Sequence, residues 1–255
     1  MPGGFLSGAP GVLLVFARVA GMLGMNPLFA RRNLPAMTRA GLTLLMTLLL
    51  APAAAPAAGP MGSLDLAAGM LQELFVGFAC GFVFQIFYYM LFFAGDFMDV
   101  QFGLSMAKVF DPGTSIQMSV SGNLLNLLFM LYLFATDSHL LLIRIFATSF
   151  WIVPAGGVSF SPQAARFFLE LFASVFSLAL RLALPFVAAE FVLELAMGVL
   201  MKLIPQIHVF VINIQFKLLL GILLLLAFSA PVASFLDNYM DLMFQNIEHA
   251  LFMLA

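Results

Sequence analysis

Arg18, Glu73, Arg144, Arg181, Glu190, Glu194 and Lys217 all stand inside, or at the edge of, strongly apolar stretches of this chain. Ionisable groups in such settings are costly and usually face a protein interior or a wet cavity, so any chemistry must be sought there first. Glu190 and Glu194 are four residues apart and share a helix face, with Pro185 just before them as a kink signal. Two readings are open for the pair, a proton or ion relay and a structural ion pairing. Hairpin geometry favours the second. If the chain reverses near Pro205, Glu194 (eleven residues before it) and Lys217 (twelve after) come face to face. Asn213 and Lys217 share a face at i, i+4, and His208 and Gln215 lie nearby, so the last apolar run carries a polar strip. That strip is either satisfied within its own hairpin or meets another subunit or a water-filled path.

Catalytic and metal chemistry find no support. His139, His208 and His249 stand alone, without the spacing of a metal site. Asp137, Ser138 and His139 supply the residue types of a hydrolytic triad, but three consecutive side chains cannot point at one another in the required relay. GGVSFSP at 156–162 has neither the lysine nor the spacing of a phosphate loop. No cofactor and no metal are expected, and the chain does not read as an enzyme. Cys80, the single cysteine, sits in the apolar GFACGFVF and reads as a packing residue.

The elements that position these residues must be membrane helices. The 255 residues are 64% hydrophobic and 9% charged, against about 45–50% and about 25% in soluble domains. A net charge of −2 argues against nucleic acid as a partner. Apolar runs at about 11–30, 40–58, 70–95, 124–151, 169–200 and 208–236 predict about six long hydrophobic helices or hairpins in an all-α membrane protein. The N-terminal MPGGFLSGAPGVLLVFARVAG lacks a basic n-region and reads as a retained first membrane segment. Only APAAAPAAGPM at 52–62 looks linker-like. Arg31, Arg32 and Arg39 in the first connector, Lys108 in the third and Lys202 in the fifth make the odd connectors cytoplasmic, with both termini outside.

The runs are irregular. The fifth and sixth exceed the bilayer core, and TDSH at 136–139 splits the fourth into halves too short to span alone. Gly77 and Gly81 form a GxxxG pair, and Ala17, Gly21 and Met25 give the first run a partly small face, a pattern of close helix packing. The third helix is expected to end near Gly95, with Asp96, Asp99 and Gln101 as its polar exit. SMAKVFDPGTSIQMSV follows at 105–120, with Asp111-Pro112-Gly113 forcing a turn, and a new helix capped near Ser119–Asn123. In this segment Met106, Val109, Phe110, Ile116 and Met118 need apolar neighbours, while the turn-rich backbone and Gln117 need polar ones. It is either an amphipathic loop at the interface or a re-entrant plug walled by protein.

Four blocks carry a family resemblance: FARVAGMLGMNPLFARRNLPAMTRAGLTLLMTLLLAP at 16–52, ELFVGFACGFVFQ and FAGDFMDVQFGLSMAKVFDP within 73–112, the stretch from His139 to Pro154, and PQIHVFVINIQFKLLLG at 205–221. Together they make the chain resemble the FliR family, the R component of the flagellar type III export gate (the T component in virulence secretion). His208 stands where the family has Asn, Lys202 where it has Arg, and Asp137-Ser138 where it commonly has Asn-Gly.

The resemblance implies a helical, hetero-oligomeric pore built with the P and Q components (FliP, FliQ), next to the export-switch protein FlhB and to FlhA. It implies an inner-membrane location in the flagellar basal body and the passage of unfolded flagellar subunits driven by proton motive force. It further implies a P-like part, residues 1–168, fused to a Q-like hairpin and C-terminal tail, residues 169–255. A loop at about 106–120 would close the pore, through Met106, Val109, Phe110, Asp111, Pro112, Gly113, Ile116, Gln117 and Met118. Candidate contacts between helices or subunits are Arg18, Asp96, Asp99, Glu190, Glu194, Pro205, Gln206, Asn213 and Lys217. A different class, a stand-alone solute or ion transporter coupled through Glu190, Glu194 and Arg181, is the alternative.

Overall fold

The structure, a computed structural model, describes residues 9–29, 35–53, 62–104, 119–158, 162–204 and 209–255. These residues are mostly helical: α1 (Ala9–Met25), α2 (Ala36–Leu50) running into a 3-10 turn at Ala51–Ala53, α3 (Ser63–Gln101), α4 (Val120–Ala135), α5 (Ser138–Ile152), α6 (Pro162–Leu203), α7 (Val209–Ala227) and α8 (Ser229–Leu254). No strand occurs among them. The chain is an all-α membrane protein.

Helix length bears on which of these elements can cross a membrane by themselves. Crossing the hydrocarbon core takes about 20 residues. Among the described residues only α3 (39 residues) and α6 (42 residues) are long and apolar enough alone. The pairs α4–α5 and α7–α8, each bent at a short break, raise the number to four. The first two apolar runs form the shorter apolar helices α1 and α2, of 17 and 15 residues.

Two boundaries also differ from expectation. α3 runs through Gly95 to Gln101, and the supposed C-terminal tail is α8. The reason for the second is an amphipathic pattern: Leu236, Met240, Met243, Phe244, Ile247, Leu251 and Leu254 recur at three- and four-residue intervals and are all buried.

The break at 136–139 is present as TDSH predicts. Asp137 sits there at φ 56°, the left-handed region, and its side chain makes no capping hydrogen bond to α5. A non-glycine residue is strained in that conformation. Asp137→Gly is therefore expected to stabilise the protein by about 0.5–1 kcal/mol, read as a raised midpoint of thermal unfolding in detergent.

The chain divides into two compact units that interleave along the sequence. The first comprises Met1–Phe87, Asp137–Phe172 and Asp241–Ala255, and the second Tyr88–Thr136 and Ala173–Met240. Three of the four boundaries fall inside the helices α3, α6 and α8, so each of these contributes residues to both units.

In the first unit α1 crosses α3 at glycines. A Cβ on Gly21 would stand 2.5 Å from Leu74 O, and one on Gly77 would meet the carbonyl of Arg18 and lie 2.8 Å from Met22 N. Gly81 continues the contact against Met25. The GxxxG pair and the small face of the first run thus meet backbone to backbone. Val76, Ala79, Cys80, Val83, Phe84 and Phe87 bury one stripe of α3 beside Leu14, Val15, Val19 and Met22 of α1. His249 of α8 lies edge-on to Phe167 of α6, with ring centroids 4.8 Å apart.

The core of the second unit is aromatic around the end of α3. Phe102 is buried with its ring 6.3 Å from that of Phe186, which in turn lies 5.4 Å from Phe228. Gly221 of α7 leaves the room Phe102 occupies, since a Cβ there would come within 2.7 Å of that ring.

Candidate functional site

Two polar constellations are buried, one in each unit. In the first unit Arg18 is fully buried and spends its guanidinium on three directions at once. Nε donates to Glu73 Oε2 at 2.5 Å, Nη1 donates to Ser149 O at 2.8 Å, and Nη2 donates to Val153 O at 2.8 Å. The guanidinium carbon lies 4.4 Å from the centroid of the Phe150 ring. The carbonyls of Ser149, which also accepts from Val153 N at 2.9 Å, and of Val153 lie at the C-terminal end of α5, where a cation is favoured by the helix dipole. Glu73 is also fully exhausted: Oε1 accepts from Gly156 N at 2.9 Å. Glu73 is not at the edge of a helix, as the apolar run suggests, because α3 begins ten residues earlier, at Ser63. The node ties α1, α3, α5 and the turn after α5 together.

In the second unit Asp99 accepts from Ser119 Oγ (2.8 Å), from Val120 N (2.6 Å) and, through Oδ1, from Ser121 N (3.1 Å). Ser119 is the N-cap of α4 and its hydroxyl accepts from Gly122 N at 2.8 Å, as its sequence position predicts. A carboxylate from α3 therefore completes the cap of α4, where the free N–H groups and the dipole favour an anion. One turn away the two backbones touch. A Cβ on Gly95 would fall on Gly122 N and Cα, and one on Gly122 would stand 2.8 Å from Phe92 O. Gly95 thus has a different job from the helix stop it resembles in sequence: it allows α3 and α4 to cross. The result is a rigid stem whose two sides are the end of α3 and the start of α4, on either side of residues 105–118.

The helices α6 and α7 carry a third, partly open arrangement. Lys217 Nζ lies 3.3 Å from Glu194 Oε1, the approach expected from their equal spacing about Pro205. Glu194 is half-exposed, so this pair contributes on the order of 1 kcal/mol or less. Glu190 is fully buried, and neither carboxylate oxygen has a hydrogen-bond partner; Asn213 Oδ1 is likewise unpaired. The helix continues through Pro185 as one element.

The profile of the family described as bacterial export proteins, family 1, matches residues 9–243. The chain belongs to that family, in its FliR branch. It is similar to the flagellar biosynthetic protein FliR of Escherichia coli K12, at 28% identity over 87% of this chain and 85% of the relative. The FliR of Pectobacterium carotovorum is 31% identical over 87% of this chain and 86% of its own, and that of Bacillus subtilis 26% over 95% of each. Protein transport, flagellum biogenesis and a membrane setting follow from this membership and from the apolar helices.

For this FliR-family chain the candidate residues sort as follows. Arg18 and Asp99 are buried and bridge helices, Glu194 and Lys217 pair across two helices, and Asp96 is half-buried beside Asp99 on α3. Glu190 and Asn213 stand in the same pair of helices as Lys217. Met106, Val109, Phe110, Asp111, Pro112, Gly113, Ile116, Gln117, Met118, Pro205 and Gln206 lie outside the described residues. No cluster of metal-ligating side chains occurs among the described residues. Glu73 and Ser119, absent from the candidate list, are the partners that matter most. Glu73 was visible as a buried charge without a mate, and Ser119 as a cap.

Proposed function

We propose that this chain is a core subunit of the flagellar type III export gate, forming a pore with the P and Q components through which unfolded flagellar proteins cross the inner membrane, and that the segment at about 106–120 closes that pore. The observation supporting the reading most directly is the stem in the second unit. Asp99 and the Gly95–Gly122 crossing hold both ends of the segment on one rigid base, which a plug needs if it is to block a lumen instead of trailing as a linker. Its apolar side chains and turn-rich backbone suit the throat of a protein-walled pore, because lipid satisfies no backbone hydrogen bonds. The same reading takes residues 1–168 as the P-like part and 169–255 as the Q-like part, both termini as periplasmic, and FlhB and FlhA as neighbours.

The experiment is deletion of 110–117 in the chain co-expressed with its P and Q partners. Small-molecule leakage across the membrane is expected to rise while the assembled particle is still recovered. Unchanged permeability in an assembled particle would overturn the plug. A monodisperse single-chain protein that transports a solute in liposomes would overturn the gate in favour of a self-sufficient transporter using Glu190, Glu194 and Arg181.

A further inference from the structure

The groove between α1 and α2 in the first unit is not used by any contact described so far. It encloses about 380 Å³, within the range of small-molecule sites, and its walls are Phe16, Ala20 and Leu23 of α1 and Ala36, Ala40 and Leu44 of α2. Arg39 stands at its edge in the first turn of α2. The Arg39 backbone is engaged, with N donating to Pro35 O and the carbonyl accepting from Thr43 Oγ1. Its guanidinium has no acidic or other hydrogen-bonding partner among the described residues, in contrast to Arg18, whose guanidinium is fully paired. Gly24 also lines the groove, and a Cβ on it would meet nothing within 4 Å, so the space beside α1 is open.

An apolar trough with one uncompensated cation at a helix end is complementary to one kind of molecule: an amphiphile with an acyl chain and an anionic phosphate head. Basic pockets between membrane helices recognise acidic headgroups in this way, and the N-terminal dipole of α2 adds to the attraction. We propose that the α1–α2 groove binds an anionic phospholipid, its acyl chain along Phe16, Leu23 and Ala40 and its phosphate on Arg39. The site is independent of the pore reading, since it uses only residues of the first unit remote in sequence from 105–118.

The test measures lipid carried by the chain in its complex with co-expressed partners, after exchange into a delipidating detergent, by mass spectrometry of extracted phosphatidylglycerol and phosphatidylethanolamine. The unsubstituted protein is expected to retain phosphatidylglycerol selectively. Arg39→Gln is expected to lower that retention about five-fold, the effect of one cation at a lipid surface, while Arg39→Lys keeps most of it. Gly24→Leu puts a branched side chain into the groove from a position where the added Cβ meets nothing within 4 Å, so it should displace the lipid while thermal unfolding stays unchanged. Equal retention in all four proteins would overturn the proposal. So would displacement of the lipid by inorganic phosphate alone, which indicates a free-anion site. A photoreactive residue at Ala40 that labels another protein and no lipid would also overturn it, by showing that a partner fills the groove.

Discussion

Glu73→Met is expected to destabilise the protein by about 3–5 kcal/mol, enough to empty the membrane of assembled complex. The change leaves the Arg18 guanidinium buried with one of its three directions unsatisfied, and removes the carboxylate that fixes Gly156 N. Desolvating an uncompensated charge is what makes such single changes severe. The pair itself is far less valuable than that figure suggests, because both charges had to leave solvent to form it. Arg18→Met combined with Glu73→Met is therefore expected to be less destabilised than Glu73→Met alone, although the Val153 carbonyl then loses its donor and that of Ser149 keeps Val153 N. Unfolding in mixed micelles, followed by helix content, checks this. If the two single effects simply add in the double variant, the residues do not act as a unit.

Gly95→Leu should cost about 3 kcal/mol or more, at the upper end for overpacking, because the obstruction is backbone. Flexible side chains can rotate away from an added group; the N and Cα of Gly122 cannot. Relief requires α3 and α4 to separate, and the hydrogen bonds that Asp99 accepts from Ser119 Oγ, Val120 N and Ser121 N, at 2.8, 2.6 and 3.1 Å, break on separation. On the proposed plug reading, loosening this stem should raise membrane leakage, provided the complex still assembles. Gly24→Leu serves as the matched control: it makes the same substitution at a position where an added Cβ meets nothing within 4 Å, and better helix propensity should leave stability equal or slightly higher. If both variants behave alike, the close approach at Gly95 carries no energetic weight.

What was legible in the sequence depended on whether the deciding interaction was local. Ser119 could be read as a cap because capping is settled within four residues. Glu194 and Lys217 could be paired because a hairpin turns distance along the chain into distance in space, so equal spacing about Pro205 is a geometric statement. Arg18 and Glu73 could both be recognised as buried charges, but not as partners. They are 55 residues apart, and their meeting is fixed by the glycine crossing of α1 and α3. The GxxxG pattern hinted at that crossing without saying which helix would fill it. Gly95 misled for a physical reason: glycine ends helices and also lets helices touch, and sequence alone does not distinguish the two uses. Reading it as a stop placed Asp99 in a polar exit, when the acid is a buried cap on the following helix. Apolar runs likewise report what is hidden from water and not whether lipid or protein hides it.

The interleaving of the two units has a consequence for how the chain is made. The ribosome delivers α1 to α3 of the first unit early, but Asp241–Ala255, with the fully buried Met243, Ile247, Ala250 and Leu251, arrives last. The second unit in turn waits for residues up to Met240. Neither unit can complete its interior while most of the chain is still being translated, and no single cut or truncation releases either one whole. Consolidation of either interior therefore waits for the segments that complete it. During that interval the buried charges Arg18 and Glu73, already synthesised, await the carbonyls and amide of residues 149–156 that complete their site.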